Sequence, residues 1–265
     1  MTPQTMENFR EFSGSKSLNK TLAILSSFDD QTPIQRTSDI AARLDMNMST
    51  VSRHLNTLLD WGFLDRDEDT GYYYPGVAIV ALAGRALQNN DVYRHAFPEV
   101  QRLSYRHNVH GHMGVAQKDK IVHLISSCHE SSMDLLIPMG YKHPMHCSAM
   151  GRVFLAYLSP IEAQQILKSN TLLKYAHHTK VDICDINQEL IRTRQQGYCL
   201  LVNELAEGIG SIAAPVFNRN REVVAAISVS ASARSLADPA REQVLAQAVK
   251  AAASRVSSKL GFYPR

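Results

Sequence analysis

TSDIAARLDMNMSTVSRHLNTLLDWGFLDRDEDTGYYYPG, residues 37–76, decides how the amino-terminal part of this chain folds. Its first eight residues form a short helix that places Ile40, Ala41 and Leu44 on one side. Asp45, Met46 and Asn47 then supply turn chemistry, with Asn47 suited to cap a second helix over 48–59. Val51, Leu55, Leu58 and Leu59 share the buried face of that helix. Gly62 offers a left-handed helix end, and Phe63, Leu64 and Asp65 pair across the polar run 66–70 and Gly71 with Tyr72, Tyr73 and Tyr74. Two helices, a tight turn and a hairpin make a winged helix-turn-helix, so the segment is a candidate reader of duplex DNA.

On the second helix Ser49, Thr50, Arg53, Asn56 and Thr57 lie off the apolar face, where a major groove would meet them. Arg53 is the prime base reader, because a guanidinium can donate two hydrogen bonds to guanine, worth about 1 to 3 kcal/mol of discrimination. Ser49 and Thr50 suit phosphate contacts that fix register. The bland alternative is five solvated positions. Charge does not decide the matter: the whole chain carries +3. Over residues 16–76, six basic residues (Lys16, Lys20, Arg36, Arg43, Arg53, Arg66) face nine acidic ones, a local −3. Affinity must then come from a few placed cations, hydroxyls, amides and helix termini, doubled by a second copy. Asp65, Asp67, Glu68 and Asp69 are expected to keep the hairpin tip away from phosphates.

A chain of 265 residues with 45% hydrophobic and 20% charged residues fits two ordinary domains. Residues 1–15 read as a flexible tail and 16–76 as the winged domain. In the latter a first helix over 17–28 sets Leu18, Leu22, Leu25 and Phe28 at helical spacing. Residues 77–90 hold a linker helix that is apolar almost all round, which implies burial against another domain or subunit. No apolar run approaches the roughly 20 residues that span a bilayer, and the polar start lacks a signal peptide's pattern, so a cytoplasmic protein is expected. Cys128, Cys147, Cys184 and Cys199 are scattered, which indicates reduced thiols without a disulfide framework or zinc ribbon.

From residue 91 onward helices and strands alternate. Helices are expected over 92–106, from Ala149, over 160–167, 186–196 and 239–260, and strands over 111–116, 120–127, 135–138, 197–202, 211–217 and 223–230. Antiparallel sheet with helices on its faces makes this an α+β domain.

Several ordered segments resemble the IclR family of bacterial transcriptional regulators: Ser17 to Leu25, Asp39-Ile40-Ala41, Ser49 to Leu55 and Gly62-Phe63-Leu64 in the first domain. In the second, His146-Cys147-Ser148-Ala149-Met150-Gly151-Arg152 looks like that family's H-A-[ST]-A-x-G-K segment, and Gly210 to Val216 and Ala226 to Ser230 resemble its two late strand motifs. The resemblance implies a GAF-like effector-binding domain and a dimer or dimer of dimers. It also implies control of operator DNA by a small metabolite, often a carboxylate, with an aromatic body as one option. Carried over by position, the effector contacts are Ser148, Ala149 and Met150 at a helix start, Asn203 and Glu204 in a loop, and Ser211, Ser228 and Ser230 on strands. Met133 and Leu135 would add an apolar wall. The chemistry agrees, since helix N-terminal amides favour an anion and serines two apart on a strand face the same side. The sequence departs from the family pattern in having Ser211 where many relatives carry Cys, Asp45 in place of a turn Gly, and a shortened acidic loop at Asn203-Glu204.

Other chemistries fare worse. His110 and His112 share a strand face and His143 and His146 follow in a loop, yet no further ligand at fixed spacing points to a metal, so pocket or core histidines are expected and no cofactor is implied. His177 and His178 are expected in solvent. Residues 208–213 fit G-x-G-x-x-A but open a strand, the wrong context for a dinucleotide. Cys147 beside His146 is adjacency in sequence only, and no nucleophile elbow or phosphate loop is present, so catalysis is not expected.

Overall fold

A computed structural model describes residues 14–128 and 137–263, which divide into two compact units at Asn89/Asn90. The first unit packs α1 (Lys16–Ser26), α2 (Thr37–Leu44) and α3 (Met48–Asp60) around Ile24, Ile40, Leu44, Val51, Leu55 and Leu64. Asp45 closes α2 in the left-handed region at φ 51°, the conformation the turn requires and Asp tolerates. Asn47 caps α3, its side chain accepting from the Thr50 amide at 2.9 Å. The other end of α3 is a Schellman closure at Gly62, φ 67°. There the Gly62 amide donates to the Leu59 carbonyl at 2.8 Å and the Phe63 amide to Leu58 at 2.9 Å.

The chain then runs into β1 (Leu64–Arg66) and β2 (Tyr73–Pro75), an antiparallel hairpin extended by a bridge between Gln35 and Tyr73. The turn at its tip uses Asp67, whose carboxylate accepts from the Thr70 amide and hydroxyl at 2.7 and 2.6 Å. One expectation for α1 is corrected. Leu18 and Leu22 are 57% and 49% exposed, and the helix buries Ala23 and Ile24 instead. The Thr21 hydroxyl, bonded to His54 Nδ1 at 2.9 Å, fixes that rotation against α3. The unit ends in α4 (Val77–Gln88), in which no residue is buried.

The second unit is a six-stranded antiparallel sheet in the order β5-β4-β3-β8-β7-β6. Its strands are β3 (His110–Gln117), β4 (Lys120–Ser127), β5 (Lys142–Pro144), β6 (Cys199–Val202), β7 (Ile209–Phe217) and β8 (Val223–Ser232). One face buries Met113, Ile125, Ile212, Ile227 and Val229 beneath α5 (Asp91–His107), α9 (Ala233–Leu236) and α10 (Pro239–Lys259). The opposite face carries Ile121, Leu201, Ala213 and Ala226 beneath α6 (Ala149–Tyr157), α7 (Pro160–Ser169) and α8 (Ile183–Gln196). The alanines on both faces let helices sit close to the sheet.

A bulge in β4 shapes the second face. Met113 pairs with Ile125 but the next residue, Gly114, pairs with His123, so Leu124 is the extra residue. Alternation therefore reverses, sending Ile125 to one core and Ile121 and His123 to the other side. Differences from the sequence reading are local. β5 went unrecognised, and Gly197 is not a strand start but the left-handed end of α8 at φ 77°. The strand expected over 135–138 falls partly outside the described residues, and Ile137 and Pro138 are not in a strand. No helix among the described residues is long and apolar enough to cross a membrane.

Candidate functional site

The exposed side of α3 is built by subtraction. Val51, His54, Leu55 and Leu58 are buried, which turns Ser49, Arg53, Asn56 and Thr57 outward and leaves Thr50 half-buried. Arg53 has no ion-pair partner among the described residues. Three other arginines of this unit are engaged. Arg43 is paired with Asp29 at 2.5 Å and donates to the Ser27 carbonyl at 2.7 Å, while Arg36 lies 4.6 Å over the Tyr72 ring and Arg66 5.4 Å over Tyr73. The Thr50 amide is spent on Asn47, and Thr57 donates to the Arg53 carbonyl at 3.2 Å, keeping its oxygen free to accept. Burial, then the nearby charges of Arg53 and Lys20, hold the His54 imidazole below its ordinary range, so His54 ties helices together as a neutral ring.

The second unit contains a cavity between the sheet and the start of α6, enclosing about 430 Å³ of empty space with its open mouth included. Strand pairing explains its polar wall. His112 lies opposite Ser228, and Ser230 is opposite both His110 and Ser211, so all of them share one sheet face. The Ser211 and Ser230 hydroxyls meet at 2.9 Å. From above, Ser148, Ala149 and Met150 bring the amino end of α6 to the cavity. The Ser148 hydroxyl caps its own helix, accepting from the Gly151 amide at 3.1 Å and donating to the Pro144 carbonyl at 2.9 Å. Ile137, Leu201, Leu205 and Ile209 complete an apolar wall. The sequence-chosen Ser148, Ala149, Met150, Ser211, Ser228 and Ser230 are thus brought together.

Two loop residues are not. Glu204 is buried outside the cavity lining, where it accepts from Arg152 Nη2 at 3.0 Å and from the Lys180 amide at 3.1 Å. Arg152 is fully buried and also pairs with Glu189, which in turn pairs with Lys180, so Glu204 belongs to an internal ion network. Asn203 adopts φ 56° and closes its own loop, its side chain accepting from the Gly208 amide at 2.7 Å. The same loop contributes Leu205 to the cavity. Met133 and Leu135 lie outside the described residues.

Sequence reasoning did not single out His123. With His112 and His143 it lines the cavity, the rings meeting edge to face at centroid distances of 5.4 Å (112 to 123) and 4.4 Å (123 to 143). Period-two alternation puts His123 in line with Ile121 and Ile125, a core position, and only the bulge at Leu124 parts it from Ile125, leaving it on the face of Ile121. His112 Nδ1 pairs with the Ser126 hydroxyl at 3.1 Å, but neither ring nitrogen of His123 has a partner. Burial, with neighbouring imidazoles adding to it for the first two, lowers His112 to about 3, His123 to about 2 and His143, by burial alone, to about 4. All three are neutral at physiological pH. His146 turns elsewhere and donates from Nε2 to the Leu173 carbonyl at 2.9 Å, and His177 and His178 are exposed. Among the described residues no group of three or more His, Cys, Asp or Glu has an arrangement that could hold a metal ion.

Both units match known domains. Residues 17–68 match the IclR helix-turn-helix domain and residues 84–258, more than half of the chain, match the bacterial transcriptional regulator IclR C-terminal domain. The chain is 28% identical to the HTH-type transcriptional regulator KdgR of Dickeya chrysanthemi, across 93% of this chain and 80% of that one. It is also 28% identical to the HTH-type transcriptional regulator BhcR of Paracoccus denitrificans, across 95% and 89%. Its fold resembles that of a transcriptional regulator from Alicyclobacillus acidocaldarius, with TM-score 0.85 and 24% identity over 93% of this chain and 99% of the other. A homologue from Microbacterium hydrocarbonoxydans, crystallised with 4-hydroxybenzoate, matches with TM-score 0.79 and 22% identity over 93% and 99%.

Proposed function

The chain belongs to the IclR family of bacterial transcriptional regulators, and from that premise we propose how its two units divide the work. It is a DNA-binding regulator controlled by a small molecule. In our reading α3 enters the major groove with Arg53 on base edges, flanked by Ser49, Thr50, Asn56 and Thr57, and the acidic tip of the hairpin stays clear of the phosphates. The second unit, read as GAF-like, holds an effector between the start of α6 and Ser211, Ser228 and Ser230. The observation that carries the effector site is this convergence of a helix amino end, three serines and an apolar wall on one cavity. A small carboxylic acid of a catabolic pathway fits that lining, and the homologue holding 4-hydroxybenzoate favours an aromatic body as one option. Acting as a homodimer or dimer of dimers in the cytoplasm, the protein needs about 1 to 3 kcal/mol of coupling between effector and operator for a useful switch.

The other class of reading is a small-molecule-binding or hydrolytic protein that uses its amino-terminal unit only for assembly, and its hydrolytic form would need Cys147 as nucleophile. Burial pushes that thiol up to about 12, and the neighbouring His146 ring is committed to the Leu173 carbonyl, so we propose no catalysis. An electrophoretic shift assay on DNA upstream of the protein's own gene, with and without a panel of aliphatic and aromatic acids, tests the reading. Specific binding that an acid modulates is the expected result, and indifference to every promoter fragment at low salt would refute it. Ser228→Val should weaken the response to the active acid at least tenfold while folding is preserved, as read by a thermal-shift titration.

A further inference from the structure

Among the described residues, the lining of the effector cavity holds three imidazoles and no Asp, Glu, Lys or Arg. We propose that it takes up its effector as a small carboxylic acid together with one proton, the acid's charge being met within the His112, His123 and His143 cluster. The inference rests on reading this cavity as the effector site.

The groups facing the cluster can be enumerated. β3 contributes His112 and, at its start, His110; β4 contributes His123 and Ser126. β5 contributes His143, with Tyr141 against it at a centroid distance of 4.8 Å. β7 and β8 contribute Ser211, Ser228 and Ser230, and the start of α6 contributes Cys147 and Ser148. Fixed charge lies behind the cavity, where Arg152 and Lys180 balance Glu189 and Glu204. Among the described residues, neighbouring imidazoles are the only charges that act on His112 and His123, and none acts on His143. Among the described residues, an anion entering this space finds the amino end of α6 but no resident cation.

Hydrogen-bond capacity leads to the same place. His123 is 1% exposed with both ring nitrogens unpartnered, a cost that native interiors rarely carry without a ligand or function. A neutral imidazole has one donor and one acceptor, whereas a carboxylate only accepts. A bare carboxylate therefore leaves one ring nitrogen orphaned. One proton from solvent removes the mismatch, making either an imidazolium that donates twice or a carboxylic acid that donates to the ring. Both placements have the same stoichiometry: one anion and one proton enter, one N–H or O–H bond forms, and net charge in the cavity stays at zero.

The test is isothermal titration calorimetry of the full chain with benzoate, 3-methylbutanoate and pyruvate, each against its amide, at pH 6, 7 and 8 in phosphate and in Tris. For the binding acid, Kd should rise about tenfold per pH unit, with a heat difference between buffers that corresponds to about one proton taken up. The amide should bind independently of pH. His123→Gln and His143→Gln should lower the proton count, while the buffer comparison on the unaltered protein needs no variant. Equal heats in both buffers, or no binding by any of the acids at pH 6, overturns the proposal. Operator release produced equally by an amide overturns it too while leaving the regulator reading intact, whereas absence of operator binding at every pH removes that reading instead.

Discussion

Arg53 illustrates how much a single side chain is asked to carry. The winged unit is locally acidic, Arg43 is held by Asp29, and Arg36 and Arg66 cover tyrosine rings, so a free guanidinium on α3 is its best instrument for base recognition. Arg53→Ala should weaken operator binding by about 1 to 3 kcal/mol and relax preference at the contacted base, with effector affinity unchanged. Competition shift assays with single-base operator variants check both parts, and undiminished discrimination would take Arg53 out of the groove. The cavity histidines make a second prediction. Their folded values of about 3, 2 and 4 lie below the unfolded value of 6.5, so the unfolded chain binds more protons between those limits. Their contribution is complete above pH 6.5 and is lost as pH falls from 6.5 through the folded values of about 4, 3 and 2. Urea unfolding should show stability dropping by more than about 1.4 kcal/mol per pH unit in that window, the slope of a single proton. His123→Gln should make the slope shallower by about one proton, and a flat profile from pH 6.5 to 4.5 would contradict the burial of these rings as neutral groups.

At the scale of elements, α6 is the piece on which the cavity depends, and Gly151 sets its position. A Cβ at residue 151 would land on the Met145 backbone, so the approach of the α6 amino end to the chain leaving β5 exists only because this residue is glycine. Gly151→Ala should cost about 1 to 3 kcal/mol through overpacking and should also blunt effector-induced stabilisation, because Ala149 and Met150 move with the helix. Differential scanning fluorimetry with and without the active acid separates the two effects, and a full ligand shift in a destabilised variant would mean that the cavity does not depend on this contact. The elements show what was legible in sequence. α3 and its caps were readable because Asn47, Gly62 and an apolar stripe agree on one local structure, and β7 and β8 because their serines and apolar residues alternate. Three residues of β5 carry too little pattern to read, and the bulge at Leu124 has no signature in a run of β-formers. Glu204 was misplaced for a similar reason: its partners Arg152 and Lys180 are distant in sequence, and only the fold reveals that its charge is already satisfied. On α1 the apolar stripe was real, but Thr21 and His54 settle which side faces α3.

For the molecule as a whole, α4 is the unfinished surface. Its twelve residues are nearly all apolar and none is buried, with Val77, Val80 and Leu82 between 55% and 74% exposed. A helix of this length is marginal in water without packing, and an apolar surface of this kind marks an interaction site. In the homodimer proposed above, a second copy of the chain is the occupant, which also answers the charge problem. A winged unit with a net −3 gains little from phosphate attraction, so operator affinity has to come from two units engaging two half-sites, where linkage multiplies affinity by about 10² to 10⁴. Val80→Glu should then give a particle of single-chain mass in light scattering, with operator affinity lower by about 100-fold and effector binding unchanged, since the cavity lies wholly within the second unit. Doubling the operator fragment's half-sites should tighten binding of the unaltered protein far more than that of the variant. If the variant stays dimeric and holds its operator as tightly as before, the subunits join elsewhere, and the exposed leucines of α1, Leu18 and Leu22, become the next surface to substitute.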